Sequence, residues 1–266
     1  MTTATITVGR PAASRRPPLA LVLHQIRYEQ LSFWRNPQSA IFTFVSPVVF
    51  IVLMGALFGG ATRSSYYDGL SVLGYYLPTI AALSVIGSCY GQLAMVLASR
   101  RQNGILKRVR AAPLPAWAYF TGLLVHCVLI SLVDIVLIVA VGSAYGAALP
   151  SHWLLVVVIL ILGAASFCAL GVGVASMIAN ADAAPVVSQF VLFPLLFLSG
   201  TYTPIHSRLL NEVVGFFPVR PFNQALIGAF SGSGGLSWQD LGVLLAWGGL
   251  GAVLAIRRFR WNPRPE

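Results

Sequence analysis

Four long stretches of the sequence carry almost no charge, and they decide what the chain can become. Ala40–Phe58 is uncharged and contains Pro47; Leu77–Ala98 is uncharged; Ala116–Ala144 holds a single acid, Asp134; Trp153–Ala179 is uncharged. A bilayer core needs roughly 20 apolar residues of helix to cross it, and each stretch is about that length or longer. Two further segments follow the same pattern. Pro185–Thr203 contains Pro194, and Leu241–Ile256 is short but is extended by Trp238 and Phe259. Only 9% of the 266 residues are charged and 57% are hydrophobic, whereas a soluble domain carries about 25% charged residues. Three cysteines are too few for a disulfide scaffold, and the hydrophobicity excludes a disordered chain. The sequence predicts an all-α polytopic membrane protein with six transmembrane helices.

The net charge of +10 would point a soluble protein toward nucleic acid. In a membrane protein the positions of the basic residues matter more than their sum. Arg10, Arg15, Arg16, Arg27 and Arg35 precede the first span. Arg100, Arg101, Lys107, Arg108 and Arg110 lie between the second and third. Arg257, Arg258, Arg260 and Arg264 follow the sixth, leaving Arg63, Arg208 and Arg220 for the other side. An excess of Lys and Arg marks the cytoplasmic face, so both termini are expected in the cytoplasm and nucleic acid is not an expected partner. Aromatic residues near the ends agree with this layout: Tyr75, Tyr76, Tyr145, Trp153 and Trp238 outside, Trp34, Trp117, Tyr119 and Trp261 inside. Residues 1–18 lack an apolar run and read as a mobile cytoplasmic tail rather than a signal peptide; residues 261–266 form a second cytoplasmic tail.

Three regions are neither span nor simple loop. In Leu19–Asn36, Leu19, Leu23, Ile26 and Phe33 recur at helical spacing among Arg27, Glu29 and Arg35. This predicts a helix in the inner interface with its basic face toward headgroups. Arg100–Pro115 is too basic to enter the bilayer. Gly104 and Pro113 bracket a short helix with Ile105, Leu106 and Val109 on one side, an apolar side that would want a partner. Attraction to anionic lipids accounts for its charges, at about 1 kcal/mol per residue, but not for Gly104 or the Pro113/Pro115 pair. Thr203–Gly235, punctuated by Pro204, Pro218 and Pro221 and rich in Phe, reads as outer re-entrant helices or as an apolar lid.

Taken together these segments resemble the permease subunit of ABC-2 type transporters, the group that includes daunorubicin-resistance permeases and nodulation-factor exporters. The resemblance runs over the domain at 19–260. LSFWRNP (Leu31–Pro37) is similar to the family's interfacial helix and first span. NGILKRVRAAPL (Asn103–Leu114) resembles its coupling helix, matching at Gly104, Leu106 and Pro113. FLSGTYTPIHSRLLNEVVGFFPVRPFNQAL (Phe197–Leu226) resembles its fifth span and outer re-entrant helices, matching at Ser199, Gly200, Pro204, Pro218 and Pro221. The family's coupling segment usually carries acids; Gln102 and Lys107 stand in those places here. The resemblance implies an exporter of amphiphilic drugs, lipids or glycolipids in the plasma (inner) membrane, of the kind tied to efflux and antibiotic resistance. It implies two permease chains, as a homodimer or a heterodimer, and two copies of a cytoplasmic ATPase subunit. Gln102, Gly104, Ile105, Leu106, Lys107, Arg108, Arg110 and Pro113 would then couple to that ATPase.

The chain carries no GxxxxGK[ST] loop, and its only lysine is Lys107. ATP and magnesium are therefore expected on the partner, with no cofactor and no catalysis in this chain. His126 and Asp134 share a span but point about 80° apart. Asp134 is costly in a membrane, at roughly 2.5–3.5 kcal/mol. It is expected either beside the translocation path or subunit interface, or hydrogen-bonded to a neighbouring helix. Gly55/Gly59 and Gly142/Gly146 are GxxxG pairs suited to close packing within or between subunits. Cys89, Cys127 and Cys168 lie singly in separate spans without metal or redox spacing and read as small buried hydrophobes. A secondary transporter would need more intramembrane ionisable groups than Asp134 and His126; a membrane anchor that transports nothing is the other alternative.

Overall fold

The computed structural model describes residues 17–58, 67, 69–112, 114–178, 180–198, 213–234 and 237–259, without the side chains at 195 and 198. Most of the two expected tails, together with Gly59, Pro113 and Pro204, lies outside the described residues. Among the described residues the structure is helical, with no strand. In hydrocarbon each backbone N–H and C=O must find its partner within the protein, which a helix provides along its own length.

The helices are α1 (Pro18–Trp34), α2 (Pro37–Phe58), α3 (Val72–Gln102), α4 (Ile105–Ala111), α5 (Ala116–Ala144), α6 (Trp153–Met177), α7 (Ala184–Leu198), α8 (Val219–Ser231) and α9 (Trp238–Arg258). Five of them, α2, α3, α5, α6 and α9, are long and apolar enough to cross a membrane. The expected fifth span corresponds to α7, which is described for 15 residues to Leu198; the rest of that segment lies outside the described residues. Ends are set by local chemistry. The Ser71 and Ser237 hydroxyls accept from the N–H groups of Gly74 and Asp240 and cap α3 and α9. Arg100 and Arg101 end α3 and Arg257 and Arg258 end α9, where cations favour the helix dipole. Pro47, Pro78 and Pro194 stay inside α2, α3 and α7.

α3, α5 and α6 supply most of the main apolar core, and Ala98, Ile178 and Ala184 form a small second cluster. α9 packs against α6 through a seam of small residues: a Cβ at Gly251 would lie 2.5 Å from the Leu170 amide nitrogen, and Ser166 Oγ donates to Leu244 O at 2.8 Å. Of the two expected GxxxG pairs, Gly55, Gly142 and Gly146 are among the described residues. Gly55 is covered by the Tyr145 ring and Gly142 by the Leu77 side chain, while Gly146 sits in a left-handed turn after α5.

α1 buries polar residues that its sequence pattern did not single out. Its buried residues are Gln25 and Glu29, whereas Leu19 is 70% exposed and Leu23, Tyr28 and Leu31 are also exposed. Gln25 and Glu29 turn in, where they find partners, while Arg27 and Arg35 stay exposed. Gly122 on α5 permits this docking, because any Cβ there would run into Gln25. Two tyrosines assigned to headgroups are inside: Tyr75 meets the Tyr67 ring at a tilt and the Tyr76 ring edge-on, and Tyr119 is fully buried. Trp117, Trp153 and Trp238 do remain exposed at the starts of α5, α6 and α9.

α8 lies at the far end of the bundle from α4. Ser151 and His152, just before α6, donate their backbone N–H groups to Phe230 O and Ala229 O at its C-terminus. The 29 residues of α5, about 43 Å of helix, separate the two ends. Pro218 caps α8 and Pro221 lies in its first turn, both buried. Phe222 fills the space left by Gly163 and meets the Phe167 ring at 5.4 Å.

Candidate functional site

α4 hangs on one glycine. α3 ends at Gln102, and Gly104 then takes φ +68°, the left-handed conformation that closes a helix C-terminus. The chain reverses there and α4 begins. A Cβ at Gly104 would meet nothing within 4 Å, so the cost of a substitution is conformational alone. Gly104→Ala should lower stability by about 1–2 kcal/mol, read as a lower thermal unfolding midpoint of the purified protein. Gly104→Asn should lose less, since Asn tolerates this region.

The side chains of α4 divide differently from the sequence expectation. Leu106 is 0% exposed and belongs to this chain's own core, and Val109 packs against the same core. Leu106 is therefore not free for a partner, while Val109 is only partly buried. Lys107, Arg108 and Arg110 are exposed, Ile105 is half-buried, and Pro113 is outside the described residues.

The three residues before the turn each hold a different element. Arg100 pairs with both carboxylate oxygens of Glu29 at 2.7 Å and donates to the Tyr119 hydroxyl at 3.0 Å, tying α3 to α1 and α5. Two parallel N–H···O bonds make this the strong form of an ion pair. Glu29 also accepts from Gln25 Nε2 at 2.7 Å. Arg101, buried, donates to Ala175 O at 3.0 Å and to Ile178 O. It thereby satisfies carbonyls at the C-terminus of α6, which have no partner within their own helix. Gln102 Oε1 accepts from the Ala181 amide at 2.7 Å, in the 3-10 turn that leads into α7. Sequence reasoning missed Glu29 and the clamping roles of Arg100 and Arg101. A usable signal was present: Gln25 and Glu29 sit four apart on a helix whose other face is apolar.

Asp134 is buried on α5 and faces α3, where its Oδ2 accepts from the Ser84 hydroxyl; its Oδ1 has no partner among the described residues. One turn away Ser131 Oγ lies 3.2 Å from Ser88 Oγ. Ser88 belongs to a π-helical turn, Gly87–Gln92, inside α3, and such turns often mark functional sites. His126 does not meet Asp134. It packs on the Phe33 ring at 5.6 Å and lines a cleft.

That cleft, about 650 Å³, opens between α1, the start of α2, α3 and α5. Glu29, Asn36, Gln92, Arg100 and His126 give it polar groups; Phe33, Phe42 and Leu93 give it apolar ones. Gln92 Nε2 donates to Thr43 Oγ1 at 2.9 Å and joins α3 to α2 along this wall. The arrangement suits a molecule with a polar head and an apolar body.

Comparison with known proteins bears on these features. The inner membrane transport permease YadH of Escherichia coli (strain K12) is 25% identical over 162 residues, which cover 60% of this chain and 63% of YadH. YvfS of Bacillus subtilis (strain 168) is 24% identical over 218 residues, covering 80% of this chain and 86% of YvfS. The sequence pattern of the ABC-2 type transporter family matches residues 21–230, from within α1 nearly to the end of α8. The protein is integral to the membrane and multi-pass, and it belongs to the ABC-2 type transporter family.

Proposed function

We propose that the chain is the permease subunit of an ATP-driven exporter, with ATP hydrolysed by a separate subunit that docks on α4. The observation that carries this reading is the succession Arg100, Arg101, Gln102. Immediately before the Gly104 turn, these residues bind α1 and α5, the end of α6, and the turn into α7. A displacement of α4 is thus delivered to four elements at once. The basic clusters put α4 and both termini in the cytoplasm in this reading, and two permease chains work with two ATPases. The cleft beside α1 takes an amphiphile, a drug, lipid or glycolipid, and moves it outward as the helices shift between two packings. A partner's motion biases such a balance only through contacts that differ between the two states. Here those contacts are made by α4.

The docking face is the exposed set Lys107, Arg108 and Arg110, and its complement is an acidic cleft on the ATPase. Reversing all three to Glu should abolish co-purification of the ATPase and ATP-dependent transport. The unfolding midpoint of the permease alone should stay unchanged, because none of the three is in the core, and Arg100 and Arg101 are kept to hold the loop on its side. Retention of the ATPase by this variant would refute the docking face.

A further inference from the structure

All three cysteines of the chain meet at one point. Cys89 lies in the π-helical turn of α3, Cys127 on α5 and Cys168 on α6. Their Sγ atoms are within 4.8 Å of one another, and all three residues are buried. Two backbone features build this meeting. The π turn inserts an extra residue into α3 and so re-aims Cys89. Gly171 lets α6 approach that turn: a Cβ there would lie 2.9 Å from the carbonyl oxygens of both Cys89 and Tyr90. Filling a gap with a small apolar group needs no more than one cysteine or alanine; it does not bring every thiol of the chain together from three helices.

The surroundings select the ligand. The hydroxyls of Ser88 and Ser131 lie 3.8 and 3.9 Å from Cys89 Sγ and are neutral. Sulfur ligands favour soft centres. A monovalent ion such as Cu(I) held by three thiolates would leave two negative charges inside the bundle, where uncompensated charge is costly. A trivalent centre held by three thiolates is neutral. We propose that Cys89, Cys127 and Cys168 form a three-sulfur site for trivalent arsenic or antimony, taken up as its uncharged trihydroxide. Three S–H and three metalloid–O bonds break, and three metalloid–S bonds form. Each thiol proton leaves with a hydroxide as water, and no oxidation state changes. Cys127 and Ser88 line the cleft beside α1, which provides the approach. The adduct joins α3, α5 and α6 covalently.

The test uses the purified full-length chain in detergent, reduced with a phosphine because a dithiol would compete, and exposed to arsenite alone or antimonite alone before gel filtration. The expected result is one arsenic or antimony per chain, an X-ray absorption spectrum with three sulfur neighbours and no oxygen, and a raised unfolding midpoint. Each single Cys→Ala variant should weaken retention by at least about tenfold, a loss already seen when only an outer-shell partner is removed. The wild-type spectrum is decisive even if a variant misfolds. No retained metalloid, or a spectrum with two sulfurs and one oxygen, would overturn the site. Displacement of arsenite by an equal concentration of Cu(I) would overturn the charge argument.

Discussion

Glu29→Ala is expected to destabilise the protein by about 3–5 kcal/mol, the range for removing one partner of a buried ion pair. The carboxylate is 3% exposed and the Arg100 side chain 13%, so water can replace little of what Arg100 loses. Gln25 Nε2 loses its acceptor as well. Exposed pairs behave differently and are commonly worth less than about 1 kcal/mol. The double variant Glu29→Ala/Arg100→Met should recover most of the loss, since neutralising both ends leaves no stranded charge. Thermal unfolding of the four proteins in the cycle measures this. An Arg100→Met change that costs as much alone as in the presence of Glu29→Ala would show the two to be independent. The recovered double variant also separates folding from coupling. On the proposed coupling through α4, a stable permease that still binds an ATPase should transport poorly once α1 is no longer clamped to α3, because motion of α4 no longer reaches α1.

Much of this architecture was legible because lipid imposes few solutions. Apolar runs of spanning length appear as helices at nearly the expected bounds: α5 coincides with Ala116–Ala144, and α6 with all but the last residues of Trp153–Ala179. Gly104 was also readable, since a glycine after a polar helix end points to a left-handed closure. Periodicity is silent about which side of a helix meets protein when lipid and core are equally apolar. For that reason the burial of Gln25 and Glu29 on α1 could not be read from the pattern alone, although Arg27 and Arg35 stay exposed. The same ambiguity hid Leu106, which looks identical on paper whether it faces a partner or its own core. The cysteines escaped for a different reason. Their spacing along the chain follows from helix lengths and loops, and only the π turn at Gly87–Gln92, which leaves no plain sequence signal, aims Cys89 at the other two.

Leu106 gives the sharpest separation between support and docking. Truncation to Ala removes a fully buried side chain from the core and should cost about 2–5 kcal/mol, the lost transfer energy plus the cavity left behind. The loss should be visible in the permease purified without any ATPase. A residue whose apolar surface served only the partner would leave that midpoint unchanged and weaken only the complex. Leu106→Met, which conserves volume, should stay within about 1.5 kcal/mol of wild type and retain assembly. Leu106→Asp should be more severe than Ala, because it places a carboxylate in the apolar core; α4 would then detach and assembly would fail as a consequence. Failure of assembly in Leu106→Asp is therefore no measure of docking. The reversal of Lys107, Arg108 and Arg110 is, because those side chains leave the core intact. If Leu106→Ala melts like wild type while the complex falls apart, the leucine faces the ATPase after all, and α4 is held to the bundle by the Arg100–Gln102 clamps alone.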